Sequence, residues 1–160
     1  MSDKSQENKK INERAVGWML ARVFRLWRSV ISNSVKPMGM TEARWSVMMN
    51  LNNLGEGASQ HTLATELGIE MPSLNRTVNQ LVELNLVERR THPSDKRCQC
   101  LWFTHAGQES LHTLTACVDA VRSELTLGIS DEELNTVFTV LKKIEHNACT
   151  LQNKQNTEGE

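Results

Sequence analysis

The apolar positions of this chain follow two spacings. Over most of its length they recur at steps of three and four residues, which predicts helices. Capping residues or prolines mark most of the helix starts, which fall near Lys9, Thr41, Ser59, Pro72, Thr104 and Ser130. Between the fourth and fifth helices the pattern changes to two short strands, 86–90 and 98–103, separated by turn-forming residues 91–96. The expected fold is mainly α with a small β-hairpin.

Two of the predicted helices are short and nearly adjacent. Gly68 ends the first at a position where a left-handed residue commonly closes a helix, and Pro72 opens the second. Two short helices joined by a tight, glycine-containing turn predict a helix-turn-helix. Because the hairpin follows directly, we predict a winged helix-turn-helix.

The second helix of this pair has a polar face suited to reading DNA. Its apolar side faces inward, so the opposite face is expected to carry Ser73, Arg76, Thr77 and Gln80. Arginine can bond guanine edges, glutamine and asparagine can read adenine, and a threonine methyl can touch the methyl of thymine. We interpret this helix, including Asn75, as a recognition helix that enters the major groove. The alternative is the solvated side of any amphipathic helix.

The predicted hairpin carries a cluster of cations. Asp95, Lys96 and Arg97 lie at its tip, and Arg89 and Arg90 lie on the incoming strand. A long cationic side chain at a hairpin tip can enter the narrow, electronegative minor groove. The acid at the tip is expected to pair with a neighbouring arginine or to hold the turn. An ordinary surface charge cluster stays open as the alternative for the two cations Lys96 and Arg89.

The flanking helices are longer than a small winged helix needs, and their apolar stripes are wide. Burial against a second copy of the chain is the economical arrangement, although an isolated bundle could also cover them. We therefore expect one domain over 9–152. Within it, 9–35 and 104–152 would be dimerisation helices, and 41–103 would be the DNA-binding lobe. The polar ends, 1–8 and 153–160, are expected to be disordered tails.

Net charge and the absence of certain motifs further limit the classes of function that this chain could have. The net charge of −1 excludes a chain coated uniformly with cations, so a DNA-binding face must be local. No apolar run is long enough to cross a membrane and no signal peptide is recognisable, so a cytoplasmic location is expected. The sequence has no phosphate-binding glycine loop, zinc-protease motif or nucleophile elbow. We therefore expect neither enzyme activity nor a cofactor.

Cysteines do not indicate a metal site. The four stand at 98, 100, 117 and 149 without metal-ligand spacing. Cys98 and Cys100 share one face of the second strand and are interpreted as small, reduced core or surface residues. A redox sensor is the alternative, because the neighbouring cations Lys96 and Arg97 could favour a thiolate.

Three arginines recur at steps of three in the first helix. Arg22, Arg25 and Arg28 lie near the predicted junction with Trp45. Ion pairs with the acidic C-terminal segment are the favoured interpretation. The alternative is a pocket for an anion or an aromatic acid, in which arginine supplies charge and tryptophan a stacking wall.

Taken together, these residues resemble the MarR family of bacterial regulators. The resemblance rests on the run 67–81 and on the wing Ser94-Asp95-Lys96-Arg97. The SlyA branch in particular is indicated by further matches at Leu26-Trp27-Arg28, Lys36-Pro37, Thr41 with Trp45, and the run 128–134. The resemblance implies a homodimer with interlocked terminal helices, bound to double-stranded DNA at a pseudo-palindromic, AT-rich operator.

The resemblance also implies roles for individual residues. The family's base-reading positions correspond to Pro72, Ser73, Arg76, Thr77 and Gln80. Its minor-groove arginine corresponds to Arg97, with Asp95 as the acid that braces the wing. Related proteins bind aromatic carboxylates such as salicylate between the dimer helices and the DNA-binding lobe. That region would here involve Arg25, Arg28, Thr41 and Trp45.

The main hypothesis is therefore a sequence-specific regulator of transcription, with repression and activation both open. A winged-helix module that binds another protein is one alternative. A regulator switched by oxidation of Cys98 or Cys100 is the other. The redox-sensing branch of the family carries its reactive cysteine near the start of the first helix, where this chain has none.

Overall fold

A computed structural model describes the backbone at residues 2–92 and 95–157, and side chains at 15–91 and 99–155. The chain divides into two units, Met1–Leu125 and Thr126–Glu160. The elements of the first unit are α1 (Ser2–Val35), a short 3-10 helix (Lys36–Met38), α2 (Glu42–Leu54), α3 (Gln60–Leu67), α4 (Met71–Glu83), β1 (Val87–His92), β2 (Asp95–Phe103) and α5 (His105–Leu125). The second unit contains α6 (Asp131–Thr157). None of the helices, as far as they are described, has the length and apolar character needed to cross a bilayer.

Helices α3 and α4 form the predicted helix-turn-helix. The hydroxyl of Ser59 accepts a hydrogen bond from the Thr62 N–H at 3.0 Å and caps the start of α3. Gly68 closes this helix in the left-handed region, with φ of 62°. Helix α4 starts at Met71, one residue before the proline that was expected to open it. The predicted element pair is confirmed.

The core of the first unit lies where these helices meet the rest of the lobe. Helix α2 packs on α3 and α4, and α1 packs on α5. The largest fully buried side chains come from every layer of this unit: Ile31, Met48, Leu51, Leu63, Leu74, Leu81, Leu101 and Leu114. The apolar side of α4 is therefore anchored, which leaves its other side accessible.

The hairpin is antiparallel, and the outer edge of β2 is attached to the lobe. Its register pairs Val87 with Phe103 and continues regularly to the pair of Thr91 with Gln99. On the other edge of β2, the Gly57 N–H donates to the Leu101 carbonyl at 2.8 Å. The main-chain N–H of the same leucine donates to the carbonyl of residue 58 at 3.0 Å. The predicted winged helix-turn-helix is confirmed.

A tight junction joins the end of α4 to the start of α5. The Thr104 hydroxyl accepts from the Gly107 N–H at 2.9 Å, which caps α5, and donates to the Asn85 carbonyl at 2.5 Å. Asn85 has a φ of 54°, in the left-handed region. A Cβ at Gly107 would lie 1.8 Å from the Leu86 carbonyl oxygen, so a side chain at this position would collide with the backbone.

Residues 2–8 and 153–157, where disordered tails were expected, belong to helices in the structure. Helix α1 begins at Ser2 and α6 continues to Thr157. Both stretches lack glycine and proline. Extending an existing helix adds about one hydrogen bond for each residue that is fixed, so polar residues can prolong a helix that is already formed.

The second unit shows a complete capping box at the start of α6. The backbone N–H and hydroxyl of Ser130 donate to one carboxylate oxygen of Glu133, at 2.8 and 2.9 Å. The Glu133 N–H donates back to the serine hydroxyl at 3.3 Å. The backbone bond, followed by the hydroxyl bond, lowers the pKa of Glu133 below its usual value. The predicted start of this helix is confirmed.

Candidate nucleic-acid interface

The polar side of α4 is accessible at most of the predicted recognition positions. Pro72, Ser73 and Arg76 are exposed, and Asn75 and Gln80 are partly exposed. Within the described part of the chain, no hydrogen bond or ion pair holds the guanidinium of Arg76. This arginine is therefore available to a ligand, with the anchored apolar side of α4 behind it.

Thr77 does not lie on this polar face as expected. It is buried, and its hydroxyl donates to the Ser73 carbonyl at 3.3 Å. The reason is helical geometry, because Thr77 stands three residues after Leu74 and four before Leu81, both of which face the core. Its methyl group therefore belongs to the inner side of α4.

Gln80 is held by a residue of α2. The Nε of Arg44 donates to the Gln80 side-chain oxygen at 3.1 Å. The same guanidinium donates through Nη1 to the Gly39 carbonyl at 3.2 Å. One end of the predicted base-reading amide is therefore already engaged within the protein.

A second polar network joins the hairpin to the helix-turn-helix. Arg89 of β1 donates through Nε to the side-chain oxygen of Gln60 and through Nη2 to that of Asn79, both at 2.8 Å. The Gln60 amide nitrogen donates to the side-chain oxygen of Asn75 at 2.5 Å. Gln60 itself is 6% exposed. The network encloses one side of a cavity of about 520 Å³ that reaches Gln99 on β2.

Sequence reasoning missed Gln60 and Asn79. The signal for Gln60 was present, since it stands three and four residues before Leu63 and Ala64, both of which face inward. A polar residue at such a position must find partners inside the protein. No comparable signal marked Asn79, because its partner, Arg89, is ten residues away on another element.

The two arginines of β1 point in opposite directions. Arg90 donates to the carboxylate of Glu88, through Nε at 2.7 Å and also through Nη2. Its guanidinium lies 4.8 Å from the centre of the Trp102 ring. Arg90 is thus exposed on the outer face of the hairpin, whereas Arg89 faces the lobe.

The predicted tip of the wing lies outside the side chains that the structure describes. Asp95, Lys96 and Arg97 belong to β2 by their backbone. The side chain of Cys98, the first of the two strand cysteines, likewise lies outside the described side chains. The other, Cys100, is described and buried.

The predicted effector region contains a cavity of about 620 Å³ beneath α4. Arg28 and Trp45 line it, but Arg25 and Thr41 do not. Thr41 instead caps α2 by accepting from the Arg44 N–H at 3.4 Å. The remaining lining residues include two acids and a further cation, namely Glu42, Glu66 and Arg122.

The charge of Arg28 is already matched inside this cavity. Its Nη2 lies 2.6 Å from a carboxylate oxygen of Glu42. The favoured interpretation of the α1 arginines assigned such pairs to the acidic C-terminal segment, whereas this partner lies at the start of α2. Arg22 stacks on Trp18, with its guanidinium 5.3 Å from the ring centre. An anionic ligand in the cavity would have to compete with Glu42.

The described residues include no group of three or more histidine, cysteine, aspartate or glutamate side chains arranged to hold a metal. The polar groups on the accessible side of α4 and in the network with the hairpin are arginines, amides and hydroxyls. Such groups donate hydrogen bonds to phosphates and base edges.

Comparisons with known proteins agree with this geometry. Residues 38–97, which cover the helix-turn-helix and most of the hairpin, match the model of the MarR family. The fold also matches solved structures of that family. The crystal structure of transcriptional regulator PA3341 has a TM-score of 0.80 at 27% identity, over 84% of this chain and 98% of the other.

The protein CouR gives two further matches. CouR from Rhodococcus jostii RHA1, bound to p-coumaroyl-CoA, has a TM-score of 0.73 at 27% identity, over 81% of this chain and 90% of the other. The transcriptional repressor CouR bound to a 23-mer DNA duplex has a TM-score of 0.72 at 26% identity, over 81% and 91%.

Proposed function

We propose that this chain is a MarR-type transcriptional regulator that binds DNA sequence-specifically as a homodimer. The observation that carries the proposal is the accessible polar face of α4, with Arg76 exposed, beside a hairpin in the same lobe. In winged helix-turn-helix proteins the second helix enters the major groove, and a cationic hairpin can reach the adjacent minor groove. The structure of CouR bound to a 23-mer DNA duplex, whose fold is similar to that of this chain, supports a DNA-binding role.

The residues proposed to contact DNA come from α4 and the tip of the hairpin. Pro72, Ser73, Asn75, Arg76 and Gln80 would face the major groove. Lys96 and Arg97 would approach the minor groove and the phosphates, with Asp95 bracing the turn. An arginine favours the narrow, electronegative minor groove of AT-rich DNA, which supports an AT-rich operator.

Dimerisation is supported by apolar side chains that each unit leaves exposed. Those of α1 include Val16, Trp18, Met19, Val23, Phe24 and Leu26, and those of α6 include Val137, Phe138, Val140 and Leu151. Stripes of this kind are normally covered, and a second copy would bury them on both partners at once. Residues 41–103 would then be the DNA-binding lobe, with two recognition helices about 34–36 Å apart.

The cavity beneath α4 supports regulation of DNA binding by a small ligand. It lies directly behind the recognition helix, so an occupant that displaces Thr77 would shift that helix. Trp45 supplies an aromatic wall and Arg28 a cation, which suits a small aromatic carboxylate. We assign the chain no enzyme activity, and a DNA-binding role would place it with the bacterial chromosome in the cytoplasm.

The proposal is tested by selecting duplexes from a random-sequence pool with the purified chain. The expected result is an enriched sequence with two symmetric half-sites, one helical turn apart. Its affinity, measured by fluorescence anisotropy at two salt concentrations, should fall steeply as salt rises because phosphate contacts release counterions. A pool without enrichment would contradict the proposal and favour a module that binds another protein.

A further inference from the structure

Arg89 lies on the inner face of the hairpin, where it meets two helices. Its cross-strand partner is Leu101, which is fully buried, and residues paired across two strands point to the same side of a sheet. This places Arg89 towards the lobe. From β1 it reaches Gln60 on α3 and Asn79 on α4. One side chain therefore connects three elements of the DNA-binding lobe.

The chemistry of these contacts requires arginine. Two nitrogens of the planar guanidinium, Nε and Nη2, donate in fixed directions to two separate amide oxygens. A lysine ammonium carries the same charge but lacks this fork. Within the described residues, Arg89 has no carboxylate partner, so its contacts are hydrogen bonds to neutral groups.

Gln60 extends the hydrogen-bond network from Arg89 to a second residue of α4, Asn75. Its oxygen accepts from Arg89 while its nitrogen donates to Asn75, so both ends of a buried amide are satisfied. The two asparagines of α4 thus have their oxygens turned towards the network. Among the described residues no acceptor binds their N–H groups, which can therefore bond to an acceptor outside the protein.

We propose that Arg89 is a positioning residue for DNA recognition, which fixes the wing against the recognition helix through Gln60, Asn75 and Asn79. This inference rests on the proposed function and changes the role expected of Arg89 from the sequence. The arginine sets the angle between α4 and the hairpin and the orientation of both asparagines. Its main effect is therefore on discrimination between sequences.

The test compares Arg89→Lys and Gln60→Met with Arg90→Lys, a matched control on the outer face of the same strand. Affinity is measured for a duplex selected by the wild-type chain and for a scrambled duplex of equal composition. The first two variants should lower the ratio of the two affinities by about tenfold, since each removes a hydrogen bond to a charged group. The control should leave the ratio unchanged.

The salt dependence separates positioning from a phosphate contact. Arg89→Lys keeps the charge, so affinity for the scrambled duplex and its salt slope should stay at the wild-type level. If Arg89 instead bound a phosphate, Arg89→Lys would keep the affinity ratio. Arg89→Gln would then weaken both duplexes equally and reduce the salt slope by about 1. That pattern would overturn the inference.

Amide hydrogen exchange of the free chain provides a readout without DNA. Arg89→Lys and Gln60→Met should speed exchange in β1 and α4 while α5 keeps its wild-type rates. Equal acceleration throughout the chain would mean general destabilisation and would contradict positioning. Variants that match the wild type in both exchange and specificity would overturn this inference alone, whereas a wild-type chain that prefers no sequence would overturn the proposed function.

Discussion

The Nε of Arg44 lies 3.1 Å from the side-chain oxygen of Gln80, and this hydrogen bond joins α2 to α4. A second bond from the same guanidinium reaches the Gly39 carbonyl at 3.2 Å, which ties α2 to the loop before it. Helix α4 is thus held from α2 through Gln80 and from the hairpin through Asn79. These hydrogen bonds from arginines to neutral amides fix side chains on the polar face of α4 in the free protein.

Arg44→Met should destabilise the first unit and weaken operator binding. It removes two hydrogen bonds of a partly buried guanidinium while keeping its apolar stem, so we expect a loss of about 1–2 kcal/mol in the free energy of unfolding. Urea unfolding followed by circular dichroism measures this loss. Lys36→Met removes an equal charge from an exposed site and should change stability by less than about 0.5 kcal/mol. Equal effects of the two variants would contradict a role for the bond to Gln80.

Gly107→Ala should be among the most damaging small substitutions in the chain. The new methyl would lie 1.8 Å from the Leu86 carbonyl oxygen, so the start of α5 and the end of α4 would have to separate. We expect a loss of about 3 kcal/mol in the free energy of unfolding. Gly17→Ala is the matched control, because nothing lies within 4 Å of its added Cβ. In a helix interior that change should be neutral or stabilise by up to about 1 kcal/mol. Thermal unfolding of both variants checks the contrast.

Much of the fold could be predicted because its signals are local. Thr41, Ser59 and Ser130 cap helices through bonds to residues three positions away, so the sequence window that forms each cap also displays it. The change from helical to strand spacing after α4 likewise appears within a few residues. These features marked the helix-turn-helix and the hairpin correctly.

The contacts that shape the candidate site could not be predicted in this way. Gln60 and Arg89 are 29 positions apart, and Arg44 and Gln80 are 36 apart, so their meeting depends on how whole elements pack. Thr77 is the exception, because its burial follows from its spacing from Leu74 and Leu81, which the sequence displays. Spacing along a helix predicts which of its residues face the core. Packing against neighbouring elements decides which contacts form at the edge of that face.

Dimerisation through α6 is tested by placing a charge on its apolar stripe. Phe138 is 61% exposed in its own unit, so Phe138→Glu should leave the helix formed but prevent burial against a partner. Thr139→Glu adds the same charge to an exposed position about 100° or more around the helix from the apolar residues named for α6, and serves as the control. Sedimentation equilibrium should show a dimer for the wild type and the control, and a monomer for Phe138→Glu. A variant that remains dimeric would contradict a role for this stripe.

Glu42→Gln should strengthen the binding of salicylate if the cavity beneath α4 takes aromatic acids. The substitution frees Arg28 from the ion pair at 2.6 Å, so the ligand no longer competes with an internal carboxylate. Because the pair is partly exposed, we expect an increase of about fivefold or less in affinity. Isothermal titration calorimetry measures it. Glu124→Gln, an exposed position on α5, is the control, and Arg28→Gln should abolish binding. Undiminished binding to Arg28→Gln would contradict this site.

Substitutions of the two arginines proposed to contact DNA should impair DNA binding in different ways. Arg76 is exposed on the polar face of α4, so Arg76→Ala should relax discrimination at one base pair of each half-site, at a cost of about 1–3 kcal/mol. Arg97 belongs to the wing by its place in the sequence. If it contacts the minor groove and its phosphates, Arg97→Ala should weaken binding to all sequences and reduce the salt slope by about 1.

Titrations of both variants against the selected duplex and its single-base-pair variants separate these outcomes. A base-reading arginine changes the order of preference among the duplexes, because the lost bonds belong to one base edge. A wing arginine lowers the affinity for all these duplexes and keeps their order at the positions that α4 reads, because its phosphate contacts are common to every sequence. Unchanged operator affinity for Arg97→Ala would refute the wing assignment. An unchanged order of preference for Arg76→Ala would remove Arg76 from the base-reading set, even if overall affinity fell.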